Sequence, residues 1–136
     1  MSHEPDLVPK PVILPPGGGR TYHMGALTAV FKADEEDTQA RYSVSEWWLD
    51  PHTEGPGAHS HEANDEVFYV LAGRPSVRVG DSWIDAEQGS FIMIPATVVH
   101  DFENRTDQRA GLLNVYIPGG FERDMPAIVD WFAANR

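Results

Sequence analysis

Between about residue 21 and residue 118 the chain alternates between short apolar runs and clusters of turn-forming residues. The runs are rich in Val, Ile, Phe, Tyr and Trp, and Gly, Pro, Asp and Asn separate them, which is the pattern of strands. The spacing predicts strands near 25–32, 41–49, 57–61, 66–71, 75–79, 82–85, 90–94, 98–104 and 110–117. Gly80-Asp81 sits between two alternating runs as a tight hairpin turn, Gly73 ends one strand, and Gly89 occupies the turn before Phe91. Many short strands at this spacing argue for an all-β sandwich or jelly-roll barrel.

The two ends depart from this pattern. Residues 1–20 hold Pro5, Pro9, Pro11, Pro15 and Pro16, then Gly17, Gly18 and Gly19, and read as an extended arm, because proline removes backbone donors and glycine resists ordering. Met125 to Ala134 has apolar Ile128, Val129, Trp131, Phe132 and Ala133 without strand alternation. A short helix over 124–134 is predicted, with Asp124 as N-cap and Pro126 in the first turn. The organisation expected is an arm over 1–20 and one barrel over 21–136 that ends in this helix.

Composition narrows the function. A chain of 136 residues with 41% hydrophobic and 23% charged residues is one folded domain able to line a small-molecule pocket. The net charge of -11, with its ten basic residues scattered singly, argues against nucleic acid or an anionic membrane as partner. There is no cysteine, so disulfides, thiolate metal sites and cysteine nucleophiles are excluded. Met1 to Lys10 holds no apolar signal-peptide core, and the most apolar stretch, Phe91 to Val99, is broken by Pro95 and too short to span a bilayer. A cytoplasmic location is the default expectation. No nucleophile elbow, P-loop or dinucleotide fingerprint is present.

Candidate chemistry gathers in two short stretches. His59 and His61 lie two residues apart, so an extended backbone presents their imidazoles on one face. Glu66 is at odd separation from His61, but the polar, turn-prone stretch 62–65 resets the direction and lets Glu66 face inward with Phe68 and Val70. Glu62 and Asp65 are the competing carboxylates. The second stretch runs from Gly89 past Pro95 to His100, with Phe102 and Asn104 on the face of His100. Three imidazoles and a carboxylate suit one divalent transition metal, Fe, Mn, Ni, Co, Cu or Zn, with one or two positions left for water or substrate. On the same strand logic at most one of Trp47 and Trp48 faces the interior, while Trp83, Phe91, Met93 and Tyr116 read as core or pocket wall. His3, His23 and His52 match no motif, and Glu35-Glu36-Asp37 reads as a solvated loop.

These stretches resemble the two cupin motifs. Thr53 to Gly73 matches the first at His59, His61, Glu66 and Gly73, and Gly89 to Asn104 matches the second at Gly89, Pro95, His100 and Asn104. Two backbone positions depart: Thr53 stands at the opening glycine, with Gly55 and Gly57 nearby, and Thr97 stands at the inner glycine of the second motif. The resemblance implies a double-stranded β-helix barrel, His59, His61, Glu66 and His100 as metal ligands, and a homodimer. It extends to small bacterial cupins that look like quercetin 2,3-dioxygenases. That implies a metal-dependent oxygenase for a small enol, flavonol-like or dicarbonyl substrate, with Glu66 as ligand or as general base, and an apolar wall from Phe68, Val70, Phe91, Met93 and Phe102. The alternatives are a metal-dependent binding module without turnover and a non-redox isomerase or hydrolase.

Overall fold

A computed structural model describes residues 10–135. Among the described residues nine strands form: β1 Arg20–Met24, β2 Leu27–Ala33, β3 Ser43–Leu49, β4 Asp65–Ala72, β5 Ser76–Val79, β6 Ser82–Asp85, β7 Phe91–Ile94, β8 His100–Glu103 and β9 Ala110–Ile117. A one-turn helix α1, Glu35–Thr38, follows β2, and a 3-10 turn over Phe121–Asp124 runs into the C-terminal helix α2, Met125–Asn135. The strands make a six-stranded sheet in the order β1-β2-β3-β9-β4-β7 and a three-stranded sheet in the order β6-β5-β8. Every pairing is antiparallel. Consistent with a jelly-roll barrel, β9 pairs between β3 and β4, which are distant from it in sequence.

Period-two alternation decides which side chains enter the barrel. Along β4, Glu66, Phe68 and Val70 are buried while Tyr69 is exposed, and along β9, Leu112, Asn114 and Tyr116 are buried while Ile117 is exposed. Fully buried Leu27, Leu49, Val70, Val77 and Leu112 build the core at one end. At the other end the inward positions turn polar, with Glu66, His100 and Asn114. The β5–β6 hairpin closes with Val79 opposite Ser82 and two residues between them. Its first turn residue needs positive φ, and Gly80 supplies it at 63°.

The structure corrects several expectations. The strand expected over 25–32 is the second arm of a hairpin whose first arm, β1, starts at Arg20, with Gly25 at φ 67° in the turn between them. The strand expected over 57–61 does not form. The stretch between β3 and β4 is broken by Pro51, Gly55, Pro56 and Gly57, and only an isolated bridge joins His59 to His100. Glu35-Glu36-Asp37 lies in α1, where the Asp37 carboxylate accepts from the Asp34 backbone N–H at 2.9 Å. Asp124 is not an N-cap, because the 3-10 turn already begins at Phe121 behind Gly120. Of the arm, residues 10–19 form no strand and residues 1–9, with His3, lie outside the described residues.

Candidate metal centre

His59, His61, Glu66 and His100 converge. One potential ligand atom from each lies within 4.8 Å of the others. Each reaches that point by a different local device. His100 opens β8, and its backbone exchanges two hydrogen bonds with His59, at 2.8 and 3.0 Å. That exchange holds the two rings 4.4 Å apart. His61 is fixed from the other side, its carbonyl accepting from the Thr97 N–H at 2.7 Å. Glu66 stands on β4 between Ile94 and Tyr116, an inward position of a paired strand.

The two departures from the motifs now have structural accounts. A side chain at Gly55 would meet the Phe102 carbonyl oxygen at 1.7 Å, so Gly55 allows the loop carrying His59 to lie against β8. Thr53 is instead a buried bridge partner of Asn104. The Asn104 side chain donates to the carbonyls of Leu49, Asp50 and Gln108, pinning both ends of that approach. Thr97 adopts φ 77°, the left-handed conformation that a glycine takes without cost and a β-branched residue does not.

The outer nitrogens orient the rings. His59 Nδ1 faces the Gly57 carbonyl at 2.6 Å, and His100 Nδ1 faces the Val98 carbonyl at 3.0 Å. A carbonyl only accepts, so each Nδ1 carries a proton, and in the neutral ring each Nε2 turns a lone pair to the centre. His61 Nδ1 meets the Tyr116 hydroxyl at 3.3 Å. Glu66 and His100 are almost wholly buried. His100 Nε2 stands 2.7 Å from Glu66 Oε2, yet these two atoms and His61 Nε2 have no aligned hydrogen-bond partner. Burial pushes the Glu66 carboxyl up, but the contacts and charge of His100 and His61 outweigh it and hold it at about 2. Burial lowers His100, and Glu66, the Val98 carbonyl and Asp101 together more than offset this, raising it; burial lowers His59. The Tyr116 phenol is pushed up to about 12 by burial and by the negative charges of Glu66 and Asp124. An ionised carboxylate beside three inward-facing imidazoles, with Glu66 Oε2, His61 Nε2 and His100 Nε2 buried and unpaired, is chemically suited to a bound cation.

His59, His61 and Glu66 of the cluster line a cavity of about 490 Å³. Trp47, Phe68 and Phe102 wall it from the barrel, and Phe121, Ile128 and Trp131 cover it from the C-terminal segment. Trp47 is the inward tryptophan, while Trp48 packs beneath the Arg109 guanidinium on the outside. The expected apolar wall is correct for Phe68 and Phe102 only. Phe91 and Met93 are 65% and 53% exposed, because β7 directs Ile92 and Ile94 inward instead; Val70 is buried in the core away from the cavity. Trp83 lies under Arg105 at 4.5 Å. The competing carboxylates fall away: Glu62 is exposed, and Asp65 accepts from the Ala96 N–H at 2.8 Å. His23 is exposed, and His52 pairs with Asp107 at 2.5 Å on the surface. Asp124 and Asn114 in the cavity wall were not foreseen, although Asn114 and Tyr116 share the inward parity of β9.

Comparison with known proteins agrees with this geometry. The family described as the cupin domain matches residues 45–116. Quercetin 2,3-dioxygenase of Bacillus subtilis is 28% identical over 118 residues, which is 82% of this chain and 33% of that enzyme. An uncharacterised protein of Streptomyces coelicolor is 38% identical over 42 residues, 31% of this chain and 40% of that one. The chain thus spans well under half the length of these curated relatives. Among solved structures, KdgF from Halomonas sp. superposes with a TM-score of 0.73 at 13% identity, covering 84% of this chain and 99% of that one. A predicted oxalate decarboxylase of Thermotoga maritima superposes with a TM-score of 0.65 at 20% identity, covering 69% and 82%. A Bacillus subtilis oxalate decarboxylase with Mn(II) centres gives 0.68 at 16% identity, covering 79% and 29%. These likenesses establish the fold. No helix among the described residues is long and apolar enough to cross a membrane.

Proposed function

The chain belongs to the cupin domain family, and on that premise we propose that it is a metal-dependent oxygenase acting on a small enol, flavonol-like or dicarbonyl substrate. His59, His61, Glu66 and His100 would hold one divalent transition metal, drawn from Fe, Mn, Ni, Co, Cu and Zn. The observation that carries the reading is the convergence of these four side chains, three of which, His59, His61 and Glu66, line an aromatic-walled cavity. Similarity to the Bacillus subtilis dioxygenase supports it over other cupin chemistries. The metal would supply Lewis acidity to a substrate oxygen and, where redox-active, electron exchange with O2. The chain's own residues do the rest. Trp47, Phe68 and Phe102 bind a flat apolar body and exclude water. Glu66 holds the metal, or as a carboxylate takes the proton from a substrate hydroxyl placed against it.

The test is metal analysis of untagged protein beside a His59→Ala control, followed by oxygen-uptake assays on flavonols with Fe(II), Mn(II), Ni(II) and Co(II). About one metal per chain, lost in the control, and oxygen uptake with at least one metal are expected. No uptake with any of them refutes the flavonol reading. The short span on the dioxygenase, 33% of its length, favours a binding module as the second reading. Tight ligand binding without turnover would select it, and activity without oxygen or with Zn(II) would select a non-redox enzyme. For assembly we propose a homodimer through the outer face of the six-stranded sheet, where Tyr69, Phe91, Met93 and Ile117 expose apolar surface on neighbouring strands.

A further inference from the structure

The loop that carries His59 runs antiparallel to β8 and meets it at two places. His59 exchanges both backbone hydrogen bonds with His100, and Thr53 exchanges both with Asn104. Between those two pairs the loop takes six residue steps and β8 takes four, so a regular ladder cannot join them. Alternate residues of a strand turn their backbone groups to the same edge, so the Phe102 N–H faces the loop as those of His100 and Asn104 do. Counted from the His59–His100 pair, Gly57 falls opposite Phe102, and a ladder would have these two exchange N–H···O bonds. They do not exchange them. Both N–H groups donate instead to one oxygen, Asp101 Oδ1, that of Gly57 at 3.1 Å and that of Phe102 at 2.8 Å.

This arrangement frees the Gly57 carbonyl. In a ladder it would accept from Phe102; here it faces His59 Nδ1 at 2.6 Å, with Gly57 at φ 97°, a conformation that suits glycine. Asp101 itself is half-buried on the face of β8 opposite His100, and the converging ligand atoms come from other residues. Arg78, its partner on β5, turns to the Gly80 carbonyl at 2.8 Å.

Resting on the metal-centre reading above, we infer that Asp101 is a positioning residue for that centre: its carboxylate replaces the missing stretch of ladder and holds the Gly57 carbonyl where it aims His59 Nε2 at the metal. Substitution cannot delete a backbone carbonyl, but it can release this one through Asp101. The other two rings are held independently, His100 by the Val98 carbonyl and His61 by the Thr97 N–H and Tyr116. Losing Asp101 therefore loosens His59 alone and leaves the Gly57 and Phe102 N–H groups without their acceptor. The feature that matters is an acceptor at the Oδ1 position, not the negative charge.

The experiment measures Zn(II) affinity of the full chain by competition with a chelator, for the parent and three variants. Asp101→Ala removes the acceptor and should weaken binding about tenfold, the lower end of what outer partners of metal ligands are worth. Asp101→Glu keeps the charge but carries it one methylene further, and should weaken binding about fivefold. Asp101→Asn keeps an acceptor at Oδ1 without the charge, and should stay within about threefold of the parent. If the alanine variant does not fold, the Glu and Asn variants decide between position and charge. Proton–nitrogen NMR of the Zn(II)-loaded chains gives a second readout. With Nε2 on the metal both rings carry Nδ1–H, so its survival against exchange with water reports the contact with the carbonyl. The His59 signal should be lost in the Ala and Glu variants and kept in the Asn variant, while the His100 signal persists in all. A Glu variant that binds within about twofold of the parent, or an Asn variant as weak as Ala or Glu, would overturn the assignment. A parent that takes up no Zn(II) would refute the metal centre and the role of Asp101 in it alike, whereas failure of the oxygenase reading appears in oxygen uptake and leaves these affinities unchanged.

Discussion

Tyr116→Phe isolates one supporting contact of the metal centre. His59 and His100 turn their Nδ1 atoms to the backbone carbonyls of Gly57 and Val98, which no side-chain substitution removes. His61 alone leans on a side chain, the Tyr116 hydroxyl at 3.3 Å. Removing that oxygen leaves the ring able to rotate and its Nδ1 without a partner, while the apolar packing of the phenyl ring beside Phe121 is kept. Outer partners of metal-binding histidines are typically worth about 10- to 100-fold in metal affinity. The long contact distance puts this one at the lower end, about tenfold, which is about 1.4 kcal/mol. A competition titration of Zn(II) or Co(II) against a chelator of known affinity measures it, with the melting temperature of the metal-free protein as the folding control. An affinity within about twofold of the parent would show that Tyr116 does not position His61.

Further outcomes follow from the same structure. His100→Ala should abolish stoichiometric metal binding by mass spectrometry, whereas Glu66→Gln should weaken it less and suppress any turnover that needs a carboxylate base. Thr97→Gly should stabilise the fold by about 1 kcal/mol in chemical denaturation, since φ 77° costs a β-branched residue more than the added chain entropy of glycine. Gly55→Ala should cost at least about 2 kcal/mol and also weaken metal binding, because its Cβ would force the Phe102 carbonyl, and with it the approach of His59 to His100, apart. Phe91→Glu should convert a dimer to a monomer in sedimentation velocity; a parent that is already monomeric would refute the proposed interface.

The four converging residues were legible in the sequence because two of them are set by strand parity. Glu66 faces inward for the same reason that Phe68 and Val70 do, and His100 shares its face with Phe102 and Asn104. The histidine pair joins the cluster for a less direct reason. His59 and His61 sit on no strand, so the two-residue rule was not what aligned them; a single backbone bridge to His100 and the Thr97 N–H did. Those contacts join positions some forty residues apart or follow from a turn, and local periodicity does not encode them. The misplacement of Phe91 and Met93 has the opposite cause. In β7 every residue is apolar, Phe-Ile-Met-Ile, so alternation is silent there and only pairing with β4, Glu66 opposite Ile94 and Tyr69 opposite Phe91, assigns the faces. Sequence pattern therefore gave the inward facing of Glu66 and His100, where apolar and polar residues alternate. It failed where a strand is uniformly apolar, and it could not see Asp124, whose place in the cavity wall depends on how the C-terminal segment folds back over the barrel.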